Sequence, residues 1–151
     1  MSSKRFTVLV AVDGSDHSMK AVESVVNLIK KETNPRLILL NVIDVDKVKR
    51  VSSSFVTAPT YGINEYEEHK KVAFQWLDTV RKKYEKVYAQ IEIKVLEGFP
   101  VMASIVNYAE EENVDLIVVG TRGKSGLKKL LLGSVASGVI TYSHCSVLVV
   151  K

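Results

Sequence analysis

The sequence predicts an α/β fold, an open and largely parallel five-stranded sheet with helices on both faces. Three observations predict it. Short apolar runs alternate with stretches of helical period along the whole length. Four of the five runs are near-continuous Val, Ile and Leu, as expected of strands covered on both faces. With 151 residues and 46% hydrophobic content, the chain can bury a real core. No repeat, low-complexity tract or linker divides it, so residues 1–151 read as one domain.

The first strand is residues 6–12, ending in Asp13-Gly14-Ser15. Its apolar run of about seven residues follows a short basic start, has no small-residue cleavage site and is too short to span a bilayer, so it reads as a strand rather than an address. A helix follows with Met19, Val22, Val25, Val26 and Ile29 on one face and Ser15 or Asp16 as its N-cap. The second strand is 37–43. The connection at 44–62, VDKVKRVSSSFVTAPTYG for most of its length, far exceeds the usual loop of about 4–6 residues and reads as a lid or a partly disordered segment.

The second helix covers about 64–87. Asn64 and Glu67 resemble a capping box, and Ala73, Trp76, Leu77, Val80 and Tyr84 form its inward stripe. The third strand, 91–96 in QIEIKVLEG, alternates, which exposes one face and puts it at a sheet edge. Pro100 suits the first turn of a third helix that turns Met102, Ile105, Val106 and Ala109 inward and ends in the exposed run Glu110, Glu111 and Glu112. The fourth strand is 116–119. A fourth helix starts near Gly133 and buries Val135, Val139 and Ile140, and the last strand is 147–150.

A formal net charge of +4 favours anionic partners without choosing between nucleotides and nucleic acid. The single cysteine, Cys145, has no partner for an internal disulfide, which fits a reducing cytoplasm. His17, His69 and His144 lack metal-ligand spacing and carry no assigned role.

Ligands of an open parallel sheet bind beyond the carboxyl ends of the strands, where the strand order reverses. Chemistry-bearing residues are therefore sought after strands. Asp13-Gly14-Ser15 follows the first, Val42 and Ile43 end the second, and GTRGKSGLKKLLLGS follows the fourth, spending half of the eight glycines between 120 and 134. Glycines at 120, 123 and 126 permit positive φ and leave no Cβ in the way of a phosphate. Gly133-Ser134 then opens a helix whose free N–H groups and dipole favour an anion. Arg122, Lys124, Lys128 and Lys129 add screening positive charge, although a solvated face explains Lys128 and Lys129 equally.

Established phosphate motifs fail. A Walker A loop would need Gly where Val118 stands, and DGSDHS after the first strand is no G-x-G-x-x-G. The spacing that fits is G-x2-G-x9-G-[ST], met by Gly120, Gly123, Gly133 and Ser134. With VLVAVDGSDHS, LLNVID, VDLIVVG and CSVLVV, nearly the whole chain resembles the universal stress protein family in its ATP-binding branch.

That resemblance implies strand order 3-2-1-4-5 (the adenine nucleotide α-hydrolase-like, flavodoxin-like topology), nucleotide between the first and fourth strands, and dimerisation. It implies that Asp13 holds the adenosine end, where the residues alone leave a turn or a helix cap equally open. Ala11 and Val12 would line that end, and the Val42 backbone would bond adenine. Val119 and Gly120 would border ribose and phosphates, which Gly123, Gly133, Ser134 and Val135 would cradle. The cofactor implied is ATP or another adenine nucleotide, with Mg or Mn carried on its phosphates and no metal ligands from the protein. Ser146 stands where relatives often have proline.

No general base is evident beside the glycine loop, so the reading is a regulatory or stress-response nucleotide module with slow or no hydrolysis and no catalytic residue assigned. The alternatives are a slow ATP hydrolase or phosphotransferase in the same pocket, a flavin carrier, and a basic nucleic-acid-binding protein, the last disfavoured by dispersed lysines and the lack of an aromatic stacking patch. No membrane partner is expected. In the implied order the last strand, Ser146 to Lys151, is an edge without charge, proline or bulge before Lys151, which suggests a homodimer through that strand.

Overall fold

The computed structural model describes residues 4–55, 63–88, 90–122 and 132–151. Along the chain run β1 (Thr7–Ala11), α1 (Asp16–Ile29), β2 (Arg36–Asp44), α2 (Val45–Phe55), α3 (Ile63–Tyr84), β3 (Ile91–Gly98), α4 (Val101–Glu111), β4 (Leu116–Gly120), α5 (Ser134–Tyr142) and β5 (Ser146–Val150). The sheet order is β3-β2-β1-β4-β5, with every pairing parallel, so the order reverses at β1. The alternating strand at β3 and the VLVV strand at β5 are the two edges, as the sequence leads one to expect.

Side chains alternate across a strand, so the sheet divides the core in two. Val8, Val10, Leu37, Leu39 and Val118 face α1 and α3, where they meet Val22, Val25, Val26, Ile29, Leu77 and Val80. Leu9, Ile38, Leu40, Ile117 and Val119 face α4 and α5, against Ile105, Val106, Ala109, Ala136 and Val139. Several of these are completely buried, among them Leu9, Ile38, Leu77 and Ile117.

Four expectations are corrected. Residues 45–55 are helical rather than loop, because the Asp44 carboxylate accepts from the Lys47 amide at 3.0 Å as an N-cap does and Asp46 pairs with Arg50 one turn on; residues 56–62 lie outside the described residues. Asn64 sits inside α3 instead of capping it, and that helix ends at Tyr84. On α5 the inward residues are Ala136 and Val139, whereas Ile140 is 46% exposed and Val135 half-buried, because the face turned to the sheet is centred on Ala136 and Val139. Trp76 is only partly buried, at the edge of the core.

Polar clamps fix strand positions at the amino-terminal end. Thr7 N–H donates to Asp115 Oδ2 at 2.9 Å, Asp115 N–H donates to the Thr7 carbonyl at 2.9 Å, and Lys4 Nζ reaches Asp115 Oδ1 at 2.7 Å. The pair locks the register that sets Val8 beside Leu116. Burial raises the Asp115 carboxyl, but the Lys4 ammonium and the Thr7 amide outweigh it and hold the group below the ordinary carboxylate range. On the other side, Arg36 clamps Glu92 with two bonds of 2.8 Å and Glu112 with a contact of 2.7 Å, tying β3 and the end of α4 to β2. This bidentate bond holds the Glu92 carboxyl low.

Replacing Asp115 with Ala orphans the buried Thr7 amide, an expected loss of about 1–3 kcal/mol in urea unfolding. A folded-state pKa below the unfolded value of about 3.9 stabilises above that value and is lost as pH falls through the folded one. The wild-type advantage over Asp115→Ala should therefore shrink below about pH 4, and stability curves measured from pH 3 to pH 7 check this.

Candidate functional site

The site is built by a strand that stops early. β1 pairs with β2 only to Ala11 beside Leu40 and with β4 only to Val10 beside Val118, while β2 continues to Asp44 and β4 to Gly120. At about 3.3 Å per residue, the neighbours overhang by roughly 13 Å and 7 Å, leaving a notch above β1 at the switch point.

In a parallel strand the N–H and C=O of one residue point to the same neighbour, and the side alternates along the chain. Leu40 C=O accepts from Val12 N–H at 2.8 Å, so the Val42 backbone also faces the β1 side, above the point where that strand ends. The Asn41 carboxamide donates to Val12 C=O at 2.8 Å and finishes β1's hydrogen bonding. The wall on β2 is thus backbone that lies beyond the pairing with β1.

The floor is the turn after β1. Gly14, at φ 84°, is the glycine with positive φ among the described residues, and it lets Asp13 Oδ1 accept from Ser15 N–H at 2.9 Å. Ser15 is the N-cap of α1, its hydroxyl accepting from Ser18 N–H at 3.2 Å. The buried Ser18 hydroxyl donates to Ser15 C=O at 2.9 Å and accepts from Asp13 N–H at 3.3 Å. This network supplies the turn role that the residues of DGS had left open beside a ligand role.

Gly120 closes the β4 side for a reason other than positive φ. A Cβ built there would lie 2.7 Å from the His17 carbonyl carbon and 2.8 Å from its Cβ. Only glycine lets β4 run this close under the first turn of α1. The next residue, Thr121, is buried and joins three elements. Its N–H donates to Val150 C=O at 2.9 Å, its C=O accepts from Gly133 N–H at 2.6 Å, and its Oγ1 lies 3.1 Å from His17 Nδ1. Gly133 is the N-cap of α5 and brings no side-chain cap to that helix.

Of the residues singled out in the sequence, Ala11, Val12, Asp13, Val42, Val119 and Gly120 surround the notch, and Gly133, Ser134 and Val135 open the helix tied to it through Thr121. Val12 and Val119 turn their side chains into the core, so they offer backbone only. Arg122 follows Thr121 and is half-buried. Gly123, Lys124, Lys128 and Lys129 lie outside the described residues. Asn41, Thr121 and His17 were missed. The available signal for His17 was its place one residue past the DGSD turn, in the first turn of the helix that crosses β4.

Two other concavities carry less chemistry. The groove between α3 and β3 includes Phe74, Ile93 and Val95, and its Lys70 is already bridged to Glu97 at 3.0 Å and Glu67 at 3.5 Å. A dent at the opposite end holds Asp115, His144 and the half-buried Cys145, whose thiol burial pushes up. Among the described residues no group of three His, Cys, Asp or Glu side chains could hold a metal, and no helix is long and apolar enough to cross a membrane.

Comparison with known proteins fits this architecture. The description of the universal stress protein family matches residues 4–151. The chain belongs to that family. Universal stress protein MJ0531 of Methanocaldococcus jannaschii is 40% identical over 146 residues, covering 95% of this chain and 81% of that one. The solved structure of MJ0577 from the same organism superposes with a TM-score of 0.79 at 32% identity, covering 99% of this chain and 97% of the other. A universal stress protein solved in complex with cAMP superposes with a TM-score of 0.61 at 26% identity, covering 99% and 98%.

Replacing Gly120 with Ala drives a methyl into the His17 backbone, which cannot swing aside as a side-chain tip can. The expected loss is about 1–3 kcal/mol. Thermal unfolding measures it, and an unchanged melting temperature would mean that the approach of β4 to α1 is not tight.

Proposed function

We propose that this family member is a nucleotide-dependent regulatory or stress-response module of the cytoplasm that binds ATP or another adenine nucleotide in the notch above β1. The observation that carries the reading is the convergence there of three kinds of backbone. They are the strand wall at Val42, the turn at Asp13, and the start of a helix whose N-cap, Gly133, has no side chain to satisfy its first-turn amides. The family relative solved with cAMP supports an adenine nucleotide as the ligand class.

In this reading the purine lies along β2 and bonds the Val42 backbone. Ribose rests against Ala11, Val12 and Asp13. The phosphates pass Val119 and Gly120 to the amides of Gly133, Ser134 and Val135, with Gly123 completing the cradle. Arg122, Lys124, Lys128 and Lys129 screen their charge, and Mg or Mn rides on the phosphates without protein ligands. Turnover is slow or absent, because the contacts proposed for the phosphates are amides and cations rather than a base aimed at an attacking water.

Gly133 has φ −69° and ψ 160°, which an Asp can adopt, and Asp is a good N-cap. Gly133→Asp should therefore keep or slightly raise the melting temperature while its carboxylate takes the anion's place, weakening ATP by more than about tenfold, or ~1.4 kcal/mol. Calorimetric titration beside a thermal melt reads both; equal affinity in the folded variant would remove this helix from the site. Phosphate release should also stay far below the roughly 10 per second of a median enzyme.

We also propose that the β5 edge pairs with its own copy about a two-fold axis. Val150 C=O is engaged by Thr121 N–H of the β4 segment, so by alternation the backbone of Val149 faces outward. Val149→Pro then removes an outward donor while sparing the β4 pairing, and light scattering should show a smaller particle than for the unmodified dimer. A monomeric unmodified protein at micromolar concentration would end this part of the reading.

A further inference from the structure

The notch and the helix proposed to receive phosphate belong to different segments, and something must fix one relative to the other. The described connection is Thr121. Its carbonyl receives the Gly133 amide at 2.6 Å, so wherever Thr121 goes, the first turn of α5 follows. The orientation of Thr121 is in turn set from two sides. Its amide is tied to Val150 at 2.9 Å, and its hydroxyl is tied to His17 Nδ1 at 3.1 Å. A hydroxyl at a residue only 7% exposed needs a partner, and the imidazole supplies it. His17 itself is fixed where the close approach of Gly120 presses β4 against the first turn of α1.

We infer that the His17–Thr121 pair positions the phosphate end of the nucleotide site and makes the protein discriminate nucleotides from nucleosides. This deepens the nucleotide reading and rests on it. Neither side chain needs to touch the ligand. The pair acts through the Thr121 carbonyl on Gly133, and so on the amides that start α5, while Val42 is held in register with Leu96 of β3, Val12 by bonds to Asn41 and Leu40, and the turn at Asp13 by bonds to Ser15 and Ser18. Loosening the pair should therefore weaken phosphate binding and leave the adenosine end intact. A residue of merely structural importance would weaken both together.

The test compares ATP with adenosine by calorimetric titration of the whole chain, in wild type, Thr121→Val, Thr121→Ser and His17→Leu. Thr121→Val keeps the shape and deletes the hydroxyl, Thr121→Ser keeps the hydroxyl, and His17→Leu removes the partner at a half-buried position, with a thermal melt of each variant run beside the titration. Both Thr121→Val and His17→Leu should weaken ATP by about three- to tenfold, the range of one net hydrogen bond, with adenosine affinity unchanged and Thr121→Ser close to wild type. If Thr121→Val does not fold, His17→Leu carries the same decision. Equal losses for ATP and adenosine, or no loss in either variant, would overturn the inference while leaving the nucleotide reading standing. A wild-type protein that takes up neither ligand would overturn both.

Discussion

The constraint on which the carboxyl end of this molecule depends is the early termination of β1. Had that strand run as far as β2 and β4, its amides would have filled the gap between them, and the switch point would be closed sheet. Instead the chain turns at Asp13, with Gly14 in the left-handed region, the Asp13 carboxylate on the Ser15 amide, the Ser15 hydroxyl on the Ser18 amide and the Ser18 hydroxyl between the Asp13 amide and the Ser15 carbonyl. Because Ser15 caps α1 and Asn41 takes the Val12 carbonyl just past β1, the floor is hydrogen-bonded within the chain itself. The backbone left over is on the overhangs and at the uncapped start of α5.

Rigidity below serves the same end. Two apolar layers grip the sheet, and the Asp115 and Arg36 clamps set strand register from the opposite end of β1, β2, β3 and β4. A slip in register between β1 and β4 would move Gly120 out from under His17 and bring a residue with a Cβ into a space that only glycine fits. Register and site geometry are therefore the same constraint seen from two ends of the sheet.

Much of this was legible in the amino acids. Val-rich runs named the strands because buried parallel strands require them, and the alternation of QIEIKVLEG marked an edge because one of its faces meets water. The glycine spacing and DGS pointed to the carboxyl end of the sheet, where β1 stops short of its neighbours. What was not legible came from contacts between distant segments. Gly120 looked like a glycine wanted for positive φ, whereas its reason is the His17 backbone, 103 positions away by sequence number and in contact only once β4 lies under α1. Thr121 and Asn41 carry no motif, and their importance arises from which carbonyls end up beside them. The helix α2 was hidden because an Asp cap following directly on a strand leaves no loop to mark the change.

Amide chemical shifts of the labelled protein, followed through a titration with ATP, test the central claim most directly, since they report the notch residue by residue. The account predicts that the largest shifts fall on Ala11 to Asp13, Val42, Val119 to Arg122 and Gly133 to Val135, with little change at Asp115 or along β3. Shifts concentrated in the groove between α3 and β3 or at the end of the sheet near Asp115 and Ser146, or no shifts at millimolar ATP, would contradict it.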